Sequence, residues 1–104
     1  MPENFLDLSF VKEKLLSLKP ELIEKYKIKR IGLFGSFANG TFHDKSDIDI
    51  LVEFTETPGW EFFRMNRFLE NYFGRKVDLV TPEAIKPQVK ERILKQVIYI
   101  ERQN

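Results

Sequence analysis

Apolar residues recur every three or four positions through residues 5–26, at Leu8, Val11, Leu15, Leu18 and Leu22. That spacing marks one face of a helix. Lys12, Glu13, Lys14, Glu21, Glu24 and Lys25 fall on the other side, which is left to solvent. Pro20 interrupts the stripe, so it either kinks one long helix or opens a second at its first position. The period then changes. Ile28 to Phe34 is a short apolar run ending at glycine, as a buried strand would be. From Asp47 to about Phe54 the pattern alternates. Ile48, Ile50, Val52 and Phe54 face a core, and Asp47 and Asp49 face away from it together.

Thr57-Pro58-Gly59 marks a turn. A helix is expected from about Trp60 to Phe73, with Phe62, Met65, Leu69 and Tyr72 as its inward stripe and Gly74 as its C-terminal cap. Val77-Asp78-Leu79-Val80 makes a third short strand, with Asp78 on the face opposite Val77 and Leu79. Thr81-Pro82-Glu83 starts a helical turn, and Pro87 suits the first position of a final helix. On that helix Val89, Ile93, Val97 and Ile100 form one stripe, and Leu94 and Ile98 form a second. The second exceeds what one flank of a small domain needs, so it is a candidate partner surface. The order helix, strand, strand, helix, strand, helix implies an α+β, two-layer fold: a small mixed sheet packed by helices.

Composition narrows the picture. With 104 residues the chain is expected to form one domain, 1–104, able to bury a core without covalent staples. Cysteine is absent, which excludes disulfides and thiolate metal sites and suits a cytoplasmic protein. No stretch approaches the roughly 20 apolar residues of a membrane span, and no signal-peptide pattern opens the chain. The formal net charge is +1, so no direct nucleic-acid binding is expected. Ten phenylalanines are many for this length; part of that surplus suits a protein partner.

The chemistry concentrates between Gly35 and Val52, GSFANGTFHDKSDIDILV. Two strand residues separate Asp47 from Asp49 by about 6.6 Å at the backbone. Their carboxylates can therefore converge on one divalent cation or on a pair. Carboxylate oxygens suit Mg²⁺, which takes remaining ligands from water and substrate phosphates. Gly35 lets a phosphate approach the backbone. Ser36 offers a hydroxyl and an N–H. Phe37-Ala38 can start a short helix, closed by Gly40 in the left-handed region. These are the parts of a phosphoryl- or nucleotidyl-transfer site. His43, Asp44 and Lys45 read as loop and turn residues, with Lys45 near enough to touch phosphate. Arg64 and Arg67 read as solvated, although either could reach a triphosphate.

Gly35-Ser36, ten residues, then Asp47-x-Asp49 resembles the signature of the polymerase-beta-like nucleotidyltransferases. The fuller string, GSFANG followed by SDIDILV, resembles their minimal nucleotidyltransferase (MNT) subfamily, whose members are short prokaryotic proteins often encoded beside a HEPN-domain partner. The resemblance implies a polymerase-beta-like fold and a Mg²⁺-dependent enzyme that uses ATP. Asp47, Asp49 and Asp78 would be the catalytic, metal-holding carboxylates, with Asp78 activating the attacking hydroxyl. Gly35 and Ser36 would bind the nucleotide's phosphates. MNT antitoxins transfer AMP to a tyrosine of a HEPN RNase toxin, which implies such a toxin as partner in a hetero-oligomer. A chain this short is not expected to hold an acceptor domain, which favours an acceptor on a partner. Two alternatives stand beside this: a catalytically weak module that neutralises a HEPN partner by contact, and a small-molecule, antibiotic-type nucleotidyltransferase. Asn39 departs from the arginine of the subfamily's GSFARG-like string, which favours the weaker module.

Overall fold

The computed structural model describes residues 7–43 and 45–101. Asp44 lies outside them, as do the first two residues of the 5–26 stripe. Helix α1 spans Leu8–Tyr26, strand β1 Ile28–Phe34, helix α2 Gly35–Asn39 and strand β2 Ile48–Phe54. Helix α3 spans Trp60–Phe73 and strand β3 Val77–Val80. A single 3₁₀ turn follows at Pro82–Ala84, then helix α4 at Pro87–Gln96 and strand β4 at Ile98–Tyr99. The strands form one sheet in the order β3-β2-β1-β4. β1 is antiparallel to both β2 and β4, and β2 is parallel to β3. The sheet is mixed and packed by helices, the α+β architecture that the pattern implied.

Helix α1 begins where Asp7 accepts a hydrogen bond from the Phe10 N–H at 2.8 Å, satisfying one of the free N-terminal donors. It runs unbroken through Pro20, so of the two sequence options the single helix is correct. Its C-terminal cap, Lys27, adopts φ +58 and donates its N–H to the Ile23 carbonyl. The Lys27 carbonyl accepts the Thr55 N–H at 3.0 Å, which ties the entry of β1 to the end of β2.

One face of the sheet is closed by α1 and α3. Val11, Leu15 and Leu22 from α1 meet Met65, Leu69 and Phe73 from α3 over Ile31, Leu33, Ile48, Ile50, Val52, Val77 and Leu79. The inward stripe of α3 ends on Phe73 rather than on Tyr72, which is 43% exposed. Both follow Leu69 at helical spacing, and Phe73, one full turn on, continues the Met65–Leu69 row. Gly74 caps α3 with φ +67, as expected.

The chain's end departs from expectation. Helix α4 stops at Gln96, and Ile98–Tyr99 pairs with Leu33 and Gly32 of β1. Ile100, 2% exposed, joins the core and donates its N–H to the Ile31 carbonyl at 2.9 Å. Two causes end the helix. Val97-Ile98-Tyr99-Ile100 holds only β-branched and aromatic side chains, which lose rotamer freedom in a helix and suit a pleated surface. The open edge of β1 also carries backbone groups that need partners. Leu94 and Ile98 therefore do not form a stripe on one helix, and Ile98 faces the core side of the sheet beside Leu33. Gly32 makes the close packing of this edge possible, because a Cβ there would stand 2.5 Å from Val97 Cγ1. Among the described residues no helix is long and apolar enough to cross a membrane.

Candidate active site

The second face of the sheet carries the odd-numbered residues of β2. Strand β1 passes into α2 with no linker, and Gly35 allows it. Its φ of +71 is a conformation that L side chains rarely adopt. A Cβ at this position would fall on Asp49 Oδ2, with Asp49 Cγ only 2.9 Å away. The register gives the reason: Phe34 pairs with Asp49 across β1 and β2, so the next residue comes up against the carboxylate. Ser36 follows in the first turn of α2, and its carbonyl accepts the N–H groups of Gly40 and Thr41. Gly40, at φ +82, closes the turn as the sequence suggested.

Asp49 also pairs directly with Asp78 across the parallel strands β2 and β3, so their side chains share one face. Asp47 lies one residue before β2, on that same face. The Asp49 carboxyl is pushed up to about 6, first by partial burial, then by the charge of Asp78, then by that of Asp47. All three predicted aspartates are thus brought into one electrostatic neighbourhood, with Gly35 against the central one. Among the described residues Lys76 forms an ion pair with this cluster, its Nζ 4.0 Å from Asp47 Oδ2. That pair is long and largely exposed, so it offsets little of the repulsion. Among the described residues no three acidic or histidine side chains close into a finished metal cage. Mg²⁺ rarely occupies such a cage; it binds one or two carboxylates and keeps waters or phosphates. A cluster of hard oxygens with uncompensated charge fits that ion.

Arg75 went unnoticed in the sequence. Its Nη1 donates to the Ser46 carbonyl at 2.8 Å, directly before Asp47. Its guanidinium also lies 5.7 Å from the centroid of the Phe37 ring. Phe37 is fully buried and stacks parallel to Phe42 at 4.6 Å. Glu70 accepts the Val77 N–H at 3.0 Å, fixing the start of β3 one residue before Asp78. The sequence separation of 29 between Ser46 and Arg75 hid this contact from any local pattern. The one available sequence signal was a basic pair placed between a glycine cap and an aspartate-bearing strand.

The remaining candidates separate. His43 Nδ1 accepts the Lys45 N–H at 3.2 Å, and the His43 N–H donates to Ser46 Oγ at 2.8 Å. These are turn contacts, as the loop reading expected. Arg64 and Arg67 lie on α3, across the sheet from the aspartates, so the solvated reading holds for both. Asn39 Oδ1 accepts from the Thr41 N–H at 3.0 Å and from the Thr41 hydroxyl at 2.6 Å. Its side chain is committed to closing the turn after α2.

Known proteins resemble this chain along most of its length. A relative from Methanocaldococcus jannaschii, named a candidate protein adenylyltransferase, is 47% identical over 95 residues, covering 89% of this chain and 97% of its own. The protein adenylyltransferase MntA of Thermococcus cleftensis is 35% identical over 96 residues, covering 91% and 97%. A solved structure of the MntA–HpeT toxin–antitoxin complex, in a variant with one substitution, superimposes with TM-score 0.69 at 27% identity. That match covers 88% of this chain and 72% of the solved one. The family model for the nucleotidyltransferase domain matches residues 9–100, and the chain belongs to that family of enzymes.

Proposed function

We propose that this chain is a Mg²⁺-dependent protein adenylyltransferase that moves AMP from ATP to a tyrosine hydroxyl of a HEPN-domain RNase toxin, and thereby serves as its antitoxin in the cytoplasm. One observation carries the reading: Asp49 is held between the bare backbone of Gly35 and the charges of Asp78 and Asp47. Phosphate-binding backbone and acidic cluster are thus adjacent, which nucleotidyl transfer requires. The names of the two relatives support adenylyl transfer to protein. The solved complex supports a toxin as the partner.

In this reading Asp47 and Asp49 hold the ion, with Asp78 beside them. Bound Mg²⁺ supplies positive charge against the phosphate oxygens and the departing pyrophosphate. Gly35 leaves room for the triphosphate to reach the backbone, and Ser36 contributes its N–H and hydroxyl there. Asp78 orients the tyrosine hydroxyl and takes its proton. The phenolic oxygen then bonds to the α-phosphorus, the bond from that phosphorus to the bridging oxygen breaks, and pyrophosphate leaves with the electron pair.

The test is to incubate the chain with a HEPN-domain protein from the same genome, Mg²⁺ and each nucleoside triphosphate in turn. Intact-mass spectra should show the partner heavier by whole adenylyl groups with ATP alone. The adduct should vanish with EDTA and with Asp49→Asn. Asn39 favours a second reading, neutralisation by contact, because its amide is spent on the turn where the subfamily's string has arginine. Inhibition of the toxin with no adduct from any nucleotide would establish that second reading.

A further inference from the structure

Arg75 contacts two segments that frame the candidate site, the loop before Asp47 and helix α2, without being one of its carboxylates. It stands three residues before Asp78 on the way into β3. Its Nη1 grips the Ser46 carbonyl, 2.8 Å away, immediately before Asp47. Its guanidinium covers Phe37, the buried ring of α2, the helix that begins with Gly35 and Ser36. Phe37 in turn stacks on Phe42, whose loop leads back to Asp47. Within this loop the Ser46 N–H donates to the His43 carbonyl at 2.9 Å. The Ile48 N–H donates to the Lys76 carbonyl at 3.0 Å, beside Arg75. Asp47 therefore sits between two backbone anchors, and the Arg75 side chain reaches from the entry of β3 to both the aspartate loop and α2.

We propose that Arg75 is a positioning residue that sets Asp47 against Asp49 and Asp78, and so fixes the affinity of this site for a divalent cation. Without the Ser46 contact, the hydrogen bond that ties the carbonyl of residue 46 to the entry of β3 is lost, and Asp47 gains freedom that an ion must remove on binding. Outer partners of this kind typically govern metal affinity by about 10–100-fold. The inference rests on the metal-site reading given above.

The sign of the effect separates positioning from plain electrostatics. A guanidinium bonded to the residue just before Asp47 repels an incoming dication, so its charge alone works against metal binding. Removing it should tighten binding if charge is what matters. It should weaken binding if Arg75 acts by holding Asp47 in place. Lysine tests the same point differently. It keeps the charge but lacks the flat fork that reaches a carbonyl while covering an aromatic ring.

The experiment is a Mn²⁺ titration of the isolated chain, followed by electron paramagnetic resonance of the free ion, with thermal unfolding measured beside it. Wild type, Arg75→Met, Arg75→Lys and Asp49→Asn are compared. Arg75→Met should raise the Mn²⁺ dissociation constant about tenfold or more, at a temperature where the variant is fully folded. Arg75→Lys should recover less than half of that loss on a logarithmic scale. Unchanged or tighter binding in Arg75→Met overturns the proposal, and so does full recovery in Arg75→Lys. If Arg75→Met does not fold, the lysine variant decides alone: wild-type affinity overturns the proposal and weakened affinity supports it. Equal titrations of wild type and Asp49→Asn would instead sink the metal site itself, and the proposal with it.

Discussion

At its start, strand β2 carries opposite kinds of residue on its two faces; further on, Leu51 is buried on the site face as well. Ile48, Ile50 and Val52 point into the helix-covered layer and are wholly buried. Asp47 and Asp49 point the other way and meet Asp78. The first face gains free energy from removing apolar surface from water. The second gathers like charges that raise the energy of the folded state when no cation is bound. The difference shows where stability is gathered and where it is given up: the core face must be strong enough to tolerate the site face. Substitutions on the two faces should therefore move stability in opposite directions.

The largest effect belongs to the core face. Ile50→Ala removes most of a fully buried side chain between Leu33 and Leu79. It should cost about 2–4 kcal/mol, as lost transfer energy plus an unfilled cavity. Urea unfolding at pH 7 measures it, and the slope of the transition should stay the same. A loss under about 1 kcal/mol would mean that the helices collapse onto the gap, and that the core face is softer than its burial implies.

Next comes the seam between the faces. Gly35→Ala puts a methyl group onto the Asp49 carboxylate, in a backbone conformation already unfavourable for alanine. The left-handed conformation alone costs roughly 1–2 kcal/mol. Asp49 must also move away, which separates it from the backbone of Gly35 and Ser36. Adenylyl transfer should fall below detection while the chain stays folded, and activity and melting curves together check this. An active Gly35→Ala variant would show that the carboxylate and the turn need not touch.

Both faces of β2 were legible in the sequence, because strand alternation assigns each residue a side; that Gly35 stands against Asp49 came only with the β1–β2 register. The α+β class followed from the order of periods. The aspartate trio followed from motif and alternation together. Other features needed tertiary information. The β-branched and aromatic run at 97–100 was a local hint of a strand, but nothing local showed that it would complete β1, because the unmet backbone groups lie some 65 positions earlier, at Ile31 to Leu33. Leu94 and Ile98 were consequently read as one helical stripe, and the partner surface inferred from that pairing loses its basis. Arg75 was missed for a related cause: its two contacts, to Ser46 and Phe37, exist only once β3 lies against β2. Tyr72 and Phe73 could not be ranked, since both suit the face that Leu69 begins.

The smallest effect is the most specific to the site face. Asp49→Asn removes the carboxylate that its neighbours and partial burial oppose most. The folded-state pKa of Asp49 is about 6, above its ordinary value of 3.8, so between those values the folded protein binds protons more readily than the unfolded chain. Linkage then makes the wild type less stable as pH rises from about 4 to about 6, and level above that. Asparagine cannot ionise and escapes this loss. In EDTA, Asp49→Asn should gain on the wild type across that window and stay ahead at pH 7. The gain should be about 1 kcal/mol, the part that survives solvent screening of a partly exposed group. Below pH 4 the two proteins should respond to pH in parallel. Added Mg²⁺ should stabilise only the wild type, because the ion needs the ionised carboxylate. Melting temperatures at half-unit pH steps, with and without Mg²⁺, give the whole comparison. If the gain is constant across all pH values, it comes from packing of the amide, and charge repulsion is not what strains this face.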